Sequence, residues 1–147
     1  MKIWVKLNQN KMEKEFVPYE LSIEMKGLGF DEPCLGFYDG KGSTQLYFNN
    51  KRDASGDFIP FVKSERLTWF GTPTFSQAFR WFREKYRLHR HICYFEDTQV
   101  WHGDLYRLAN GGLMNTPMEL TGYKTYEETE VACLQKLIEI VKNQNNG

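Results

Sequence analysis

Thr74-Phe75-Ser76-Gln77-Ala78-Phe79-Arg80-Trp81-Phe82-Arg83-Glu84-Lys85-Tyr86-Arg87 is the stretch that decides the fold. The Thr74 hydroxyl can accept a free backbone N–H, and Gln77 follows three residues later, a pairing that opens helices. At about 100° per residue, Phe75, Ala78, Phe79, Phe82 and Tyr86 share one face. Arg80, Arg83, Glu84 and Arg87 fall on or beside the opposite face. The spacing predicts an amphipathic helix from about Phe75 to Arg87, with Trp81 on its flank outside the apolar centre.

Working outward, His91–Phe95, Val100–Leu108 and Met118–Tyr123 read as strands separated by turn signals at Glu96-Asp97 and Asn110-Gly111-Gly112, which together make a meander. Thr125 with Glu128 forms a second capping pair. It opens a closing helix whose stripe is Leu134, Leu137, Ile138 and Val141, with residues 143–147 as a frayed tail. On the N-terminal side, Leu35–Tyr38 and Gln45–Phe48 flank Asp39-Gly40-Lys41-Gly42 and predict a hairpin. Pro18 opens a short helix through Leu21, Met25 and Leu28 that Gly27 and Gly29 stop. Ile3, Val5 and Leu7 alternate as a strand would, and Pro60 marks an edge strand. The sequence thus predicts one α+β domain over 1–147, an antiparallel meander sheet with about three helices packed on one face.

The 147-residue length suits a single core. Lys plus Arg and Asp plus Glu each total 19, so no overall basic field points to nucleic acid or an anionic membrane. Aromatic residues at 16% exceed the need of a plain core. Cys34, Cys93 and Cys133 are odd in number and widely spaced, which predicts reduced thiols in a cytosol. No stretch has the length of a membrane span or the pattern of a signal peptide.

Catalytic motifs are absent. Gly36 to Thr44 fails as a phosphate loop because its spacing is short and Gly42 stands where Ser or Thr belongs. His89, His91 and Cys93 alternate and His102 follows on the next strand, but the spacing matches no metal signature, so neither a metal nor a cofactor is assigned. No nucleophile elbow or local cysteine signature is present. The remaining signal is the strip Arg80 to His91, where Arg80, Arg83, Lys85, Arg87 and Arg90 face one acid, Glu84. Arginines offer planar donors to phosphate, and Trp81, Trp69 or Trp101 can stack a base.

Three segments, Phe16-Val17-Pro18-Tyr19-Glu20-Leu21-Ser22 through Gly29–Tyr38, Pro73–Tyr86 and Thr125–Lys142, resemble a family of small uncharacterised proteins from Bacteroidales bacteria and their phages. The resemblance implies a setting, a phage or mobile-element accessory protein in the host bacterial cytosol, and points to no particular reaction; residues 1–11 look like an extension or an upstream start. Within that setting the residues predict a non-catalytic binder that sequesters a phosphate-bearing nucleotide signal of host defence. Arg83 and Arg87, four apart on one helix turn, would hold a diphosphate. Arg80, His89 and His91 would lie alongside, with Tyr47, Trp69 or Trp101 on the base. The alternative is a protein-binding inhibitor, in oligomeric form, that docks a host protein through Trp81 and neighbouring arginines. Enzyme and nucleic-acid binder rank below both.

Overall fold

The computed structural model describes residues 11–42, 44–48, 52–57, 69–109 and 112–147. The strand expected at Ile3–Leu7 and the edge strand at Pro60 lie outside these. The protein is α+β, as its sequence predicts, with its strands in two three-stranded antiparallel sheets. It divides into two compact units between Phe75 and Ser76.

In the first unit, α1 (Tyr19–Gly27) follows Pro18 directly. Its end is made by Gly29 at φ 92. The Gly29 N–H donates to the Lys26 carbonyl and the Phe30 N–H to the Met25 carbonyl, both at 3.0 Å. That pattern of two back-reaching bonds needs a left-handed residue, which glycine adopts at no steric cost. Strands β1 (Gly36–Tyr38), β2 (Tyr47–Phe48) and β3 (Phe70–Thr72) form a sheet in the order β2-β1-β3. The hairpin expected at Asp39–Gly42 joins β1 to β2, with Gly36 opposite Phe48 and Phe37 opposite Tyr47. Phe16, Tyr38, Leu46 and Phe70 make a buried cluster against which Tyr19 and Phe48 pack.

In the second unit, α2 (Phe75–Tyr86) leads into β4 (Leu88–Phe95), β5 (Val100–Ala109) and β6 (Gly112–Tyr123), followed by α3 (Tyr126–Asn145). The sheet runs β4-β5-β6, the expected meander. Both β4 and β6 start earlier than the sequence reading has them. β4 starts at Leu88, and β6 starts at Gly112, six residues before Met118, because Gly112 already pairs with Ala109. α3 packs across all three strands. Its cap is the expected one: the Thr125 side chain accepts the Glu128 N–H at 3.1 Å. The Glu128 carboxylate reaches back to the Lys124 N–H at 3.0 Å, one residue earlier than the capping box would have it. The helix runs to Asn145.

Period-two alternation divides the residues of this sheet into two sets. Gly103 and Leu105 are buried on the side that α3 covers, where Trp101 meets Tyr126 edge to face at 5.3 Å. The opposite side carries His89, His91 and Cys93 on β4 and, across from them in register, Tyr106, Asp104 and His102 on β5. Glu119 and Thr121 of β6 continue this polar surface opposite Asp104 and His102.

Candidate functional site

A cleft of about 190 Å³ lies where α2 meets the outer strand β4, lined by Ser76, Phe79, Arg83, His89 and Arg90. Ser76, Phe79 and Arg83 fall at i, i+3 and i+7 of α2, one stripe of the helix. His89 and Arg90, consecutive on β4, project to opposite faces and so bring two different groups to the strand's edge.

Arg90 is the central residue of the cleft. Its guanidinium carbon stands 4.2 Å from the centroid of the Phe79 ring, a cation–π contact that holds the planar group in place. Its Nε is buried and has no hydrogen-bond partner among the described residues. A buried donor left unmade costs about 1–3 kcal/mol, so such groups are uncommon. Burial first, and then the charges of Arg83, Arg90 and His91, hold the His89 imidazole below its ordinary value. The cleft is therefore a site of positive potential. The first turn of α2, which contains Ser76, carries no acidic residue, and the positive end of a helix dipole favours an anion there. Two guanidinium groups, an imidazole and a hydroxyl can together receive the oxygens of a phosphate or similar oxyanion.

The residues singled out from the sequence are distributed as follows. Arg83 and His89 line the cleft. Arg87 does not extend the helix beside Arg83. It sits at φ 59, just past the end of α2. Its Nε donates to the Leu108 carbonyl at 2.9 Å, and its own carbonyl accepts the Leu108 N–H at 2.8 Å. One donor of the guanidinium expected to share a diphosphate with Arg83 is thus held by the start of the sheet. Arg80 is exposed and His91 is exposed beside Asp104, with His91 Nδ1 3.8 Å from the Asp104 carboxylate.

Trp81, read as a surface anchor, is only 6% exposed. It meets Phe82 and Tyr86 edge to face at 5.0 and 5.3 Å. With Trp81 included, the buried arc of α2 spans roughly 160°, wider than the five-residue stripe alone. Trp101 packs against Tyr94 and Tyr126, both at 5.3 Å. Tyr47 and Trp69 belong to the first unit, where they stack with Phe37 at 5.7 and 5.0 Å. Ser76 was not among the residues chosen from the sequence, and Arg90 was counted in the basic strip without being placed on the ligand. The signal for Arg90 is an arginine between Leu88 and Ile92, at an inward position of an alternating strand.

No family model, curated protein or solved structure matches the chain.

Proposed function

We propose that the protein is a non-catalytic binder of a phosphate-bearing small molecule, held through its phosphate by Arg83, Arg90, His89 and Ser76. The observation that carries this reading is the convergence of Arg83, Arg90, His89 and Ser76 on one cleft beside the first turn of α2. Pockets for whole drug-sized ligands start at about 300 Å³. The cleft is smaller, so it suits a phosphate with its immediate attachment, while the rest of the ligand rests on the surrounding surface. In the phage or mobile-element setting implied by the sequence resemblance, the fitting role is sequestration of a nucleotide signal of host defence. The competing reading, a protein-binding inhibitor anchored on Trp81, is less well supported because that ring is buried.

Calorimetry with inorganic phosphate, ADP-ribose and cyclic dinucleotides tests the reading. Arg90→Ala and Arg83→Ala are each expected to weaken binding by about 1.5–3 kcal/mol, the usual loss of a charge-assisted bond. Arg87→Ala should leave affinity nearly unchanged. Absence of binding by the wild type at micromolar concentration, or wild-type affinity in Arg90→Ala, rules the site out.

A further inference from the structure

The open side of the β4–β6 sheet carries a second cluster that the anion cleft does not use. Residues two apart on a strand project to the same side, which brings His102 and Asp104 together on β5. The antiparallel register then sets Glu119 of β6 directly opposite Asp104. The ligand atoms of these three side chains all lie within 4.8 Å of one another. His102 Nε2 and Asp104 Oδ1 are 2.9 Å apart.

We propose that His102, Asp104 and Glu119 form a binding site for a divalent transition metal. Nitrogen and oxygen donors bound at about 2.1 Å stand about 3.0–3.4 Å from each other around one ion, so the His102–Asp104 edge, at 2.9 Å, needs only a slight opening to admit one. Glu119 is exposed, and rotation of its long side chain closes the remaining gap. The imidazole and first carboxylate are the better sheltered members, at 12% and 23% exposure. The ring of Phe95 stands edge-on to His102 at 5.2 Å. Solvent completes the coordination on the Glu119 side.

The electrostatics argue for the same occupant. Like charges directly opposite in a sheet are destabilising, yet Asp104 and Glu119 are paired in this way. Among the described residues neither forms an ion pair with lysine or arginine, and the basic side chains beside Asp104 are the imidazoles of His91 and His102. A dication neutralises both carboxylates. On binding, the Nε2 proton that His102 shares with Asp104 leaves to solvent or is exchanged for one on Nδ1, the Nε2 lone pair goes to the ion, and the contact with Asp104 is replaced by the shared metal. His91, on the other oxygen of Asp104 at 3.8 Å, then orients that carboxylate from outside the coordination sphere. One imidazole with two carboxylates suits Zn²⁺, Co²⁺ or Mn²⁺ better than the all-oxygen shells of Ca²⁺ and Mg²⁺ or the thiolates that Cu(I) prefers.

The full chain, freed of metal by a chelator, is titrated with Zn²⁺ by calorimetry and with Co²⁺ by visible absorption. The expected result is one ion per chain, ligand-field bands for Co²⁺, and a Zn²⁺-dependent rise in melting temperature. Glu119→Gln alters an exposed side chain and should fold normally, yet lose about tenfold or more in affinity. His102→Ala should abolish the Co²⁺ bands. Arg90→Ala should bind Zn²⁺ as the wild type does, which separates this site from the anion cleft. Failure of the wild type to bind either ion at micromolar concentration, or an unchanged affinity in Glu119→Gln, overturns the proposal.

Discussion

The side-chain oxygens of Ser22 and Thr72, fifty residues apart in sequence, lie 2.6 Å from each other in the interior of the first unit. Both are also within reach of the Val17 carbonyl, at 3.1 and 2.9 Å, and the Tyr38 hydroxyl donates to that oxygen at 3.2 Å. Each hydroxyl has one proton. One of the pair therefore donates to Val17 while the other donates to its partner, and Tyr38 fills the second lone pair of the carbonyl. Every buried polar atom in this knot is satisfied, and it ties α1 and β3 to the segment between them and the chain start.

Thr72→Val keeps the shape of the side chain and removes one hydroxyl, which leaves Ser22 free to serve Val17 alone. The expected cost is about 1 kcal/mol in urea unfolding. Ser22→Ala with Thr72→Val should cost measurably less than the sum of the two single changes, since the residues share one acceptor. Strict additivity would show that the two hydroxyls act independently.

Gly103 sets the distance between β5 and α3. A Cβ at this position would stand 2.5 Å from Cys133 Sγ and 3.2 Å from Thr129 Cγ2. Gly103→Ala should therefore destabilise the protein by about 1–3 kcal/mol, the range for overpacking. Adding Cys133→Ala removes the closer of the two atoms and should recover part of the loss. A double-mutant cycle in denaturant that shows no favourable coupling would refute this packing.

The depressed His89 gives stability a pH dependence of defined sign. The unfolded chain takes up a proton near 6.5, whereas the folded state does so only at lower pH, owing to burial and to Arg83 on α2 and Arg90 and His91 on β4. Between those two values the unfolded state holds more protons, so stability rises with pH there and is lost as pH falls below about 6.5. His89→Gln should flatten the slope of unfolding free energy in this window. A bound phosphate should raise the His89 value, which histidine NMR can follow.

The thiols divide in the same measurable way. Burial pushes Cys34 up to about 12, with the Glu32 charge adding to it, and burial pushes Cys133 up to about 11. Both side chains are buried, while Cys93 is only partly so. Since the thiolate is the reactive form, a disulfide reagent at neutral pH should titrate one thiol in the native protein, Cys93, and all three after denaturation. Rapid labelling of Cys34 or Cys133 in native conditions would contradict the packing around them.

What the sequence reveals and what it conceals divide along physical lines. The helix from Phe75 and the cap at Thr125 are local: periodicity and a hydroxyl three residues from a glutamate suffice to find them. The end of α2 is not local. A left-handed arginine is disfavoured by its own backbone, and Arg87 takes that conformation where its carbonyl and side chain are both bound by Leu108, twenty-one residues away. The early start of β6 was hidden because Asn115 and Pro117 look like a loop, and proline is tolerated in an outer strand. The basic strip was visible, and Arg83 and His89 with it. Arg90 could be assigned inward only once β4 was known to begin at Leu88, because alternation needs a starting point.

Gly103 also has a consequence for inheritance. It stands between His102 and Asp104, so the helix-facing position that is crowded by Cys133 and Thr129 lies within a His-Gly-Asp word whose outer letters are on the opposite surface. A descendant that retains α3 against this strand retains the glycine unless the facing Cys133 is made smaller as well. A descendant that kept the glycine but lost the flanking histidine and aspartate would have kept the architecture and given up the surface chemistry. The tripeptide, read together with an acid in the following strand, is thus a compact mark by which divergent relatives of the second unit can be sorted into those that share its polar face and those that share only its packing.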